Sequence, residues 1–135
     1  MNLRTVLFAV IALASAPSFA GMQPLAVPAP IEIPSIAQSA NVALVIKSAL
    51  AADEWVIPFE RRGYIEAEKK HHALRLHIGL LYDTRRIRMV YLESHGYHYN
   101  FEDGAVIVHP NLNKRMREVD ARIRQALGLP VPKGD

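Results

Sequence analysis

Six histidines, at positions 71, 72, 77, 95, 98 and 109, are the residues of this chain best suited to chemistry. Imidazole is a favoured ligand of zinc and copper, and two or three rings on neighbouring strands can converge on one ion. His71, His77, His95 and His98 are the candidates for such a metal site. His77 falls on the polar side of an alternating run, His71 shares its parity if that run begins early, and His95 and His98 stand three apart. No helix carries an H-E-x-x-H arrangement and no cysteine joins the set. Solvated rings on a sheet surface are the simpler account. His109, immediately before Pro110, reads as a local backbone partner at the start of a helix.

Nucleophilic catalysis finds little to work with. There is no cysteine, and beyond residue 20 the serines are Ser35, Ser39, Ser48 and Ser94. Ser94 with His95 or His109 and a carboxylate such as Glu93 or Asp103 could be drawn as a triad, but neighbours along a strand point to opposite faces, which argues against it. Neither G-x-S-x-G nor G-x-x-x-x-G-K occurs. The chain therefore reads as non-enzymatic, with no catalytic residue and no cofactor assigned.

Arg85, Arg86 and Arg88, together with Arg61-Arg62 and Lys69-Lys70, make the expected strand turns basic. If those turns share one end of a sheet they form a surface for lipopolysaccharide, anionic lipid or an acidic partner. The simpler account is a solvated rim that keeps sheet edges from pairing with other chains. Tyr97, Tyr99 and Phe101 read as cover for a sheet end, or as an aromatic lip.

Positioning these groups requires regular elements, and the patterns supply them. Ser35-Ile36-Ala37-Gln38 has capping-box form, and Ile36, Ala40, Ala43, Ile46 and Leu50 share one side of the helix it would start. Strands are expected over Trp55–Phe59, with Pro58 marking an edge or bulge, and over Tyr64–Lys69. His72–Tyr82 alternates, with Leu74, Leu76, Ile78, Leu80 and Tyr82 on one face, and Ile87–Ser94 returns after the turn at Asp83–Arg86. Asp103-Gly104 predicts a hairpin between Tyr97–Phe101 and Ala105–Val108. Leu112, Met116, Val119, Ile123 and Leu127 form the stripe of a final helix ended by Gly128 and Pro130. Two one-sided helices and one apolar sheet face predict an α+β fold. It would be a two-layer sandwich of an antiparallel sheet of three to five strands, with the N- and C-terminal helices on one face.

The opening residues carry Arg4, the apolar run Val6–Ala14 and then Ser18-Phe19-Ala20, the form of a cleavable signal peptide over 1–20. Gly21–Pro34, with four prolines, reads as a linker over 21–34, followed by a domain over 35–129 and a tail over 130–135. Loss of Arg4 takes Lys plus Arg from 16 to 15 against 13 acidic residues, a near balance that argues against a nucleic-acid binder. No transmembrane segment is expected once the leader is cut. With no cysteine, the fold would rest on its core in an oxidising compartment. The expected location is periplasmic or secreted, and the expected partner an unidentified envelope protein or ligand.

Trp55, Tyr82, Tyr91-Leu92-Glu93-Ser94, and Val108-His109 followed by Asn113 together resemble a pattern found in small exported proteins and lipoproteins of Gram-negative bacteria. In that family a Tyr-x-x-Ser strand end leads to Ile-His-x-x-Tyr-Asn-x-Trp and an amphipathic helix. Leu112 stands where the family has its Tyr, and Arg115 where it has its Trp. The resemblance spans most of Ser35 to Leu127 and implies export and this fold. It implies no reaction.

Overall fold

The computed structural model describes residues 21–133, so the leader read over 1–20 lies outside the described residues. Strands β3 (Val56–Arg61), β4 (Tyr64–His71), β5 (Leu74–Tyr82) and β6 (Arg86–His95) form an antiparallel meander. A short strand β2 (Ile31–Glu32) pairs with the outer side of β6, giving the order β2-β6-β5-β4-β3. Strands β1 (Gln23–Pro24), β7 (Asn100–Glu102) and β8 (Ala105–Val108) form a second, three-stranded sheet ordered β1-β8-β7. Helices α1 (Val42–Ala52) and α2 (Pro110–Ala126) complete an α+β fold.

The alternation along the meander decides which face becomes the core. Ile65 and Ala67 of β4, Leu76, Ile78 and Leu80 of β5, and Ile87 and Met89 of β6 are all buried, in one cluster with residues of both helices. From α2 the cluster takes Leu112, Met116, Val119 and Ile123, and just beyond its end Leu127, the complete stripe read from the sequence. Apolar burial on this scale is the main term favouring the folded state, at roughly 25 cal/mol per Å2.

Turn chemistry follows the sequence closely. Asp103 and Gly104 both have positive φ, 48° and 77°, the requirement of a type I′ turn, and Glu102 pairs with Ala105 across it. Asp83 caps the β5–β6 turn by accepting the backbone N–H of Arg85 at 2.7 Å and of Arg86 at 2.8 Å. Those two bonds, in that order, hold its carboxyl below the usual carboxylate range. A depressed value means that the carboxylate contributes stability above its unfolded pKa of about 4, and loses it as pH falls through the lower folded value. Asp83→Ala should therefore melt below the parent at pH 6, with the gap narrowing as pH drops beneath about 4. Thermal melts at the two pH values check this, and a gap that stays constant would refute it.

The first helix departs from expectation. Ser35–Ala37 is a separate 3-10 turn, and Gln38 donates its amide to the carbonyl of Ile33 at 3.2 Å instead of closing a capping box. The true N-cap is Asn41, whose side chain accepts the N–H of Leu44 at 3.1 Å. The buried side of α1 is accordingly Val42, Ile46, Ala49 and Leu50, while Ile36 is 91% exposed.

The proline-rich segment is also more than a linker. Proline keeps it extended, as expected, but the chain from Gln23 to Ile33 lies as a strap against the domain. Ile31 and Ile33 are 3% and 4% exposed within the main core. Asn113 of α2, itself 1% exposed, accepts the N–H of Ala26 at 2.9 Å and donates to the carbonyl of Pro24 at 2.9 Å. Arg124 donates to the carbonyl of Ala29 at 3.3 Å while pairing with Asp120 at 2.9 Å.

Candidate functional site

The uncovered face of the large sheet carries several of the groups singled out from the sequence. Strand register lays Arg61, Tyr64, Leu81 and Arg88 in one row across β3 to β6. At about 4.8 Å per strand the row spans roughly 14 Å. The guanidinium of Arg61 lies 5.4 Å from the centroid of the Tyr64 ring, within cation–π range. The row lies next to two turns, Arg62-Gly63 and Asp83–Arg85, which touch through the N–H of Tyr82 donating to the carbonyl of Gly63 at 3.0 Å. Arg61, Arg62, Arg85 and Arg88 thus occupy one end of the sheet. Among the described residues none of the four has a carboxylate within ion-pair distance. Between these turns and the start of α1 opens a cleft of about 470 Å3, lined by Asn41, Val42, Arg62, Gly63 and Thr84 among others.

Three members of the expected basic set behave differently. Arg86 is tied to Glu32 of the strap at 2.6 Å. Lys69 and Lys70 lie at the opposite end of β4, where Lys69 donates to the carbonyl of Asp53 and Lys70 faces Glu68 at 3.5 Å.

Further along the same face runs a mixed-charge network. Tyr64 donates its hydroxyl to Glu66 at 2.9 Å, and Glu66 meets Nε2 of His77 at 3.0 Å. Nδ1 of His77 lies 3.9 Å from Glu93, which in turn pairs with Arg75 at 3.2 Å. Burial, then the hydrogen bond and charge of Glu66, raise the Tyr64 hydroxyl above its ordinary value, with Arg61 opposing. The ring of Tyr64 needs Gly79 beneath it. A Cβ there would stand 2.9 Å from a methyl of Val90 and 3.0 Å from the Tyr64 ring, closer than side-chain carbons tolerate.

No protein-family model, curated protein or solved structure matches this chain. Its chemistry has to be read from the arrangement alone.

The four histidine candidates are placed apart. His71 ends β4 and stacks edge-on against His72 at 4.4 Å, because the chain turns at His72-Ala73 and His71 never joins the strand of His77. His77 is engaged with Glu66, and His95 lies near Arg75 and His72 around a shallow cleft at the far end of the sheet. His98 approaches His109, the rings 6.5 Å apart. Among the described residues no group of three or more His, Asp or Glu side chains is placed to hold a metal ion. His109 is the N-cap of α2, its Nδ1 accepting the N–H of Asn111 at 3.1 Å.

Ser94 is likewise accounted for. A register shift between His77 and Ile78 brings Tyr91 and Ser94 to the same side of β6, where their hydroxyls lie 2.7 Å apart. Tyr91 then stacks on Tyr99 at 5.6 Å, with the planes 12° apart. Tyr97 is 2% exposed and belongs to the core, whereas Tyr99 and Phe101 remain exposed.

Sequence reasoning missed the Glu66–His77–Glu93 line. The signal was present: a two-residue turn at His72-Ala73 fixes the register that sets Glu68 opposite His77, with Glu66 two residues along on the same face.

Proposed function

We propose that this chain is a non-enzymatic binding domain of the bacterial envelope, which docks the arginine-rich end of its sheet onto a phosphate-bearing anionic surface. The observation that carries this reading is the gathering of Arg61, Arg62, Arg85 and Arg88 on one end without carboxylate partners among the described residues. Arg75, Arg86, Arg122 and Arg124, by contrast, are each paired with a carboxylate. Asp83 shares the turn and feels the charge of Arg85 but makes no ion pair with it, and guanidinium groups present paired N–H donors that match phosphate geometry, so such a cluster favours that ligand. The leader-like start and the resemblance to small exported proteins support an envelope setting. No helix among the described residues is long and apolar enough to cross a membrane.

The test is co-sedimentation with vesicles. The chain should bind phosphatidylglycerol-containing vesicles but not pure phosphatidylcholine, with affinity falling as salt rises. Each arginine near such a surface contributes about 1 kcal/mol, so Arg85→Glu with Arg88→Glu should weaken binding by more than about tenfold. Both side chains are exposed, so the thermal midpoint should hold. Equal binding to neutral vesicles, or a double variant that binds like the parent, would overturn the proposal.

A further inference from the structure

A second opening lies along α2 and shares no lining residue with the arginine end. The strap passes along one side of the helix at Pro28-Ala29, and after Gly128 the chain runs back along the other side as Val131, Pro132 and Lys133. Between them is a groove of about 400 Å3, at the lower end of the roughly 300–1,000 Å3 typical of small-molecule sites. Its floor is a helical stripe of α2, Lys114, Arg117, Glu118 and Ala121, spaced to share one face. Ala121 is the one short side chain in that stripe, and it opens the floor.

The walls are apolar and the rim is positive. Pro28, Ala29, Val131 and Pro132 line the sides, and Val131 is 39% exposed at the mouth with Val27, beside Pro28, at 38%. The two carboxylates of the groove are already engaged, Glu118 with Arg115 at 3.4 Å and Asp120 with Arg124 at 2.9 Å. Lys114 and Arg117 have no such partner among the described residues. Their alkyl stems can extend along an apolar ligand while their charged heads remain in water.

We propose that this groove binds a single-chain anionic amphiphile, its hydrocarbon between the two proline-bearing walls and its charged head at Lys114 and Arg117. The groove's two sides select for both halves of such a molecule. A neutral chain forgoes the cations, and a small anion forgoes the apolar walls. The residues are distinct from those of the arginine end, so the two proposals stand or fall separately.

Decanoate, titrated into the purified chain below its micelle concentration, is the probe, with decanol as the neutral control. Amide NMR shifts should saturate and centre on Ala29, Ala121 and Val131, with decanol at least tenfold weaker. Lys114→Glu with Arg117→Glu should weaken decanoate at least tenfold and leave decanol unchanged. Ala121→Trp should abolish both, while Arg85→Glu with Arg88→Glu changes neither. Circular dichroism and an unchanged Ala26 amide resonance show that each variant is folded with its strap in place. If Ala121→Trp does not fold, Ala121→Leu is the substitute. Shifts that never saturate, that fall outside the groove, or that are the same for decanol as for decanoate would overturn the assignment.

Discussion

Replacing Ile31 and Ile33 together by alanine is expected to cost about 5 kcal/mol of folding stability, since each buried isoleucine truncated in a core costs roughly 2–5 kcal/mol. Both side chains are nearly inaccessible, at 3% and 4% exposure, and both come from the proline-rich segment. Domains of this size are stable by only about 5–15 kcal/mol, so the double variant should be close to unfolding at 37 °C. Ile36 supplies the control. It is a residue of the same type in the same stretch of chain, but it is 91% exposed, and its change to alanine should alter stability by no more than about 0.5 kcal/mol. Urea denaturation of the three proteins gives the comparison. Equal effects from the core pair and from Ile36 would mean that the segment does not dock.

Asn113→Ala carries the second large effect. The side chain is 1% exposed and serves two backbone groups of the strap, the N–H of Ala26 and the carbonyl of Pro24, with a longer contact to Gln23 at 3.4 Å. Truncation removes both bonds, and a hydrogen bond to a partly buried backbone group contributes about 0.5–1.5 kcal/mol net. A total near 2 kcal/mol is expected, or a fall of roughly 8 °C in thermal midpoint for a domain of about this length. The loss should be local as well as global. The amide of Ala26 should exchange with solvent far faster, while those of Leu76 and Ile78 in the central strand slow or hasten only with overall stability. Unchanged exchange at Ala26 would show that Asn113 is not the latch.

These two expectations also mark where the sequence was legible and where it was not. The meander and α2 were legible because their apolar residues recur over long stretches, nine residues in β5 and seventeen in α2, long enough for a period to declare itself. The strap was not. Strands β1 and β2 are two residues each, and four prolines dominate the surrounding segment, so the pattern Ile31-Glu32-Ile33 was too short to outweigh them. That misreading propagated into the site. With Glu32 placed in a spacer, nothing indicated that Arg86 was already paired, and three arginines looked equivalent when two are free of carboxylate partners among the described residues. The capping-box pattern at Ser35 erred for a related reason. The same Gln38 amide that could close a box is drawn to the carbonyl of Ile33, which the docked strap holds within reach.

For the histidines the limit was a turn. His71 shares the parity of His77 only if the strand His72–Tyr82 begins early, but the chain reverses at His72-Ala73, with His72 at a φ of 55°. His71 thus lies on β4 and His77 on β5, and their shared parity carries no information about a shared face. By contrast, His77 was placed correctly on the polar side of its own strand, where it meets Glu66 and Glu93, and His109 correctly as a backbone partner at the start of α2.

The latch also fixes when the molecule can close. Each meander hairpin joins neighbours in sequence, but Ala26 finds its partner 87 residues later and Ala29 finds Arg124 after 95. Contacts of such separation carry the largest entropic cost of loop closure and are the slowest to form. A nascent chain interrupted before residue 113 can therefore pair Ile31–Glu32 with β6 but leaves Ala26 without its partner. The earliest segment of the domain to be synthesised waits for its last helix.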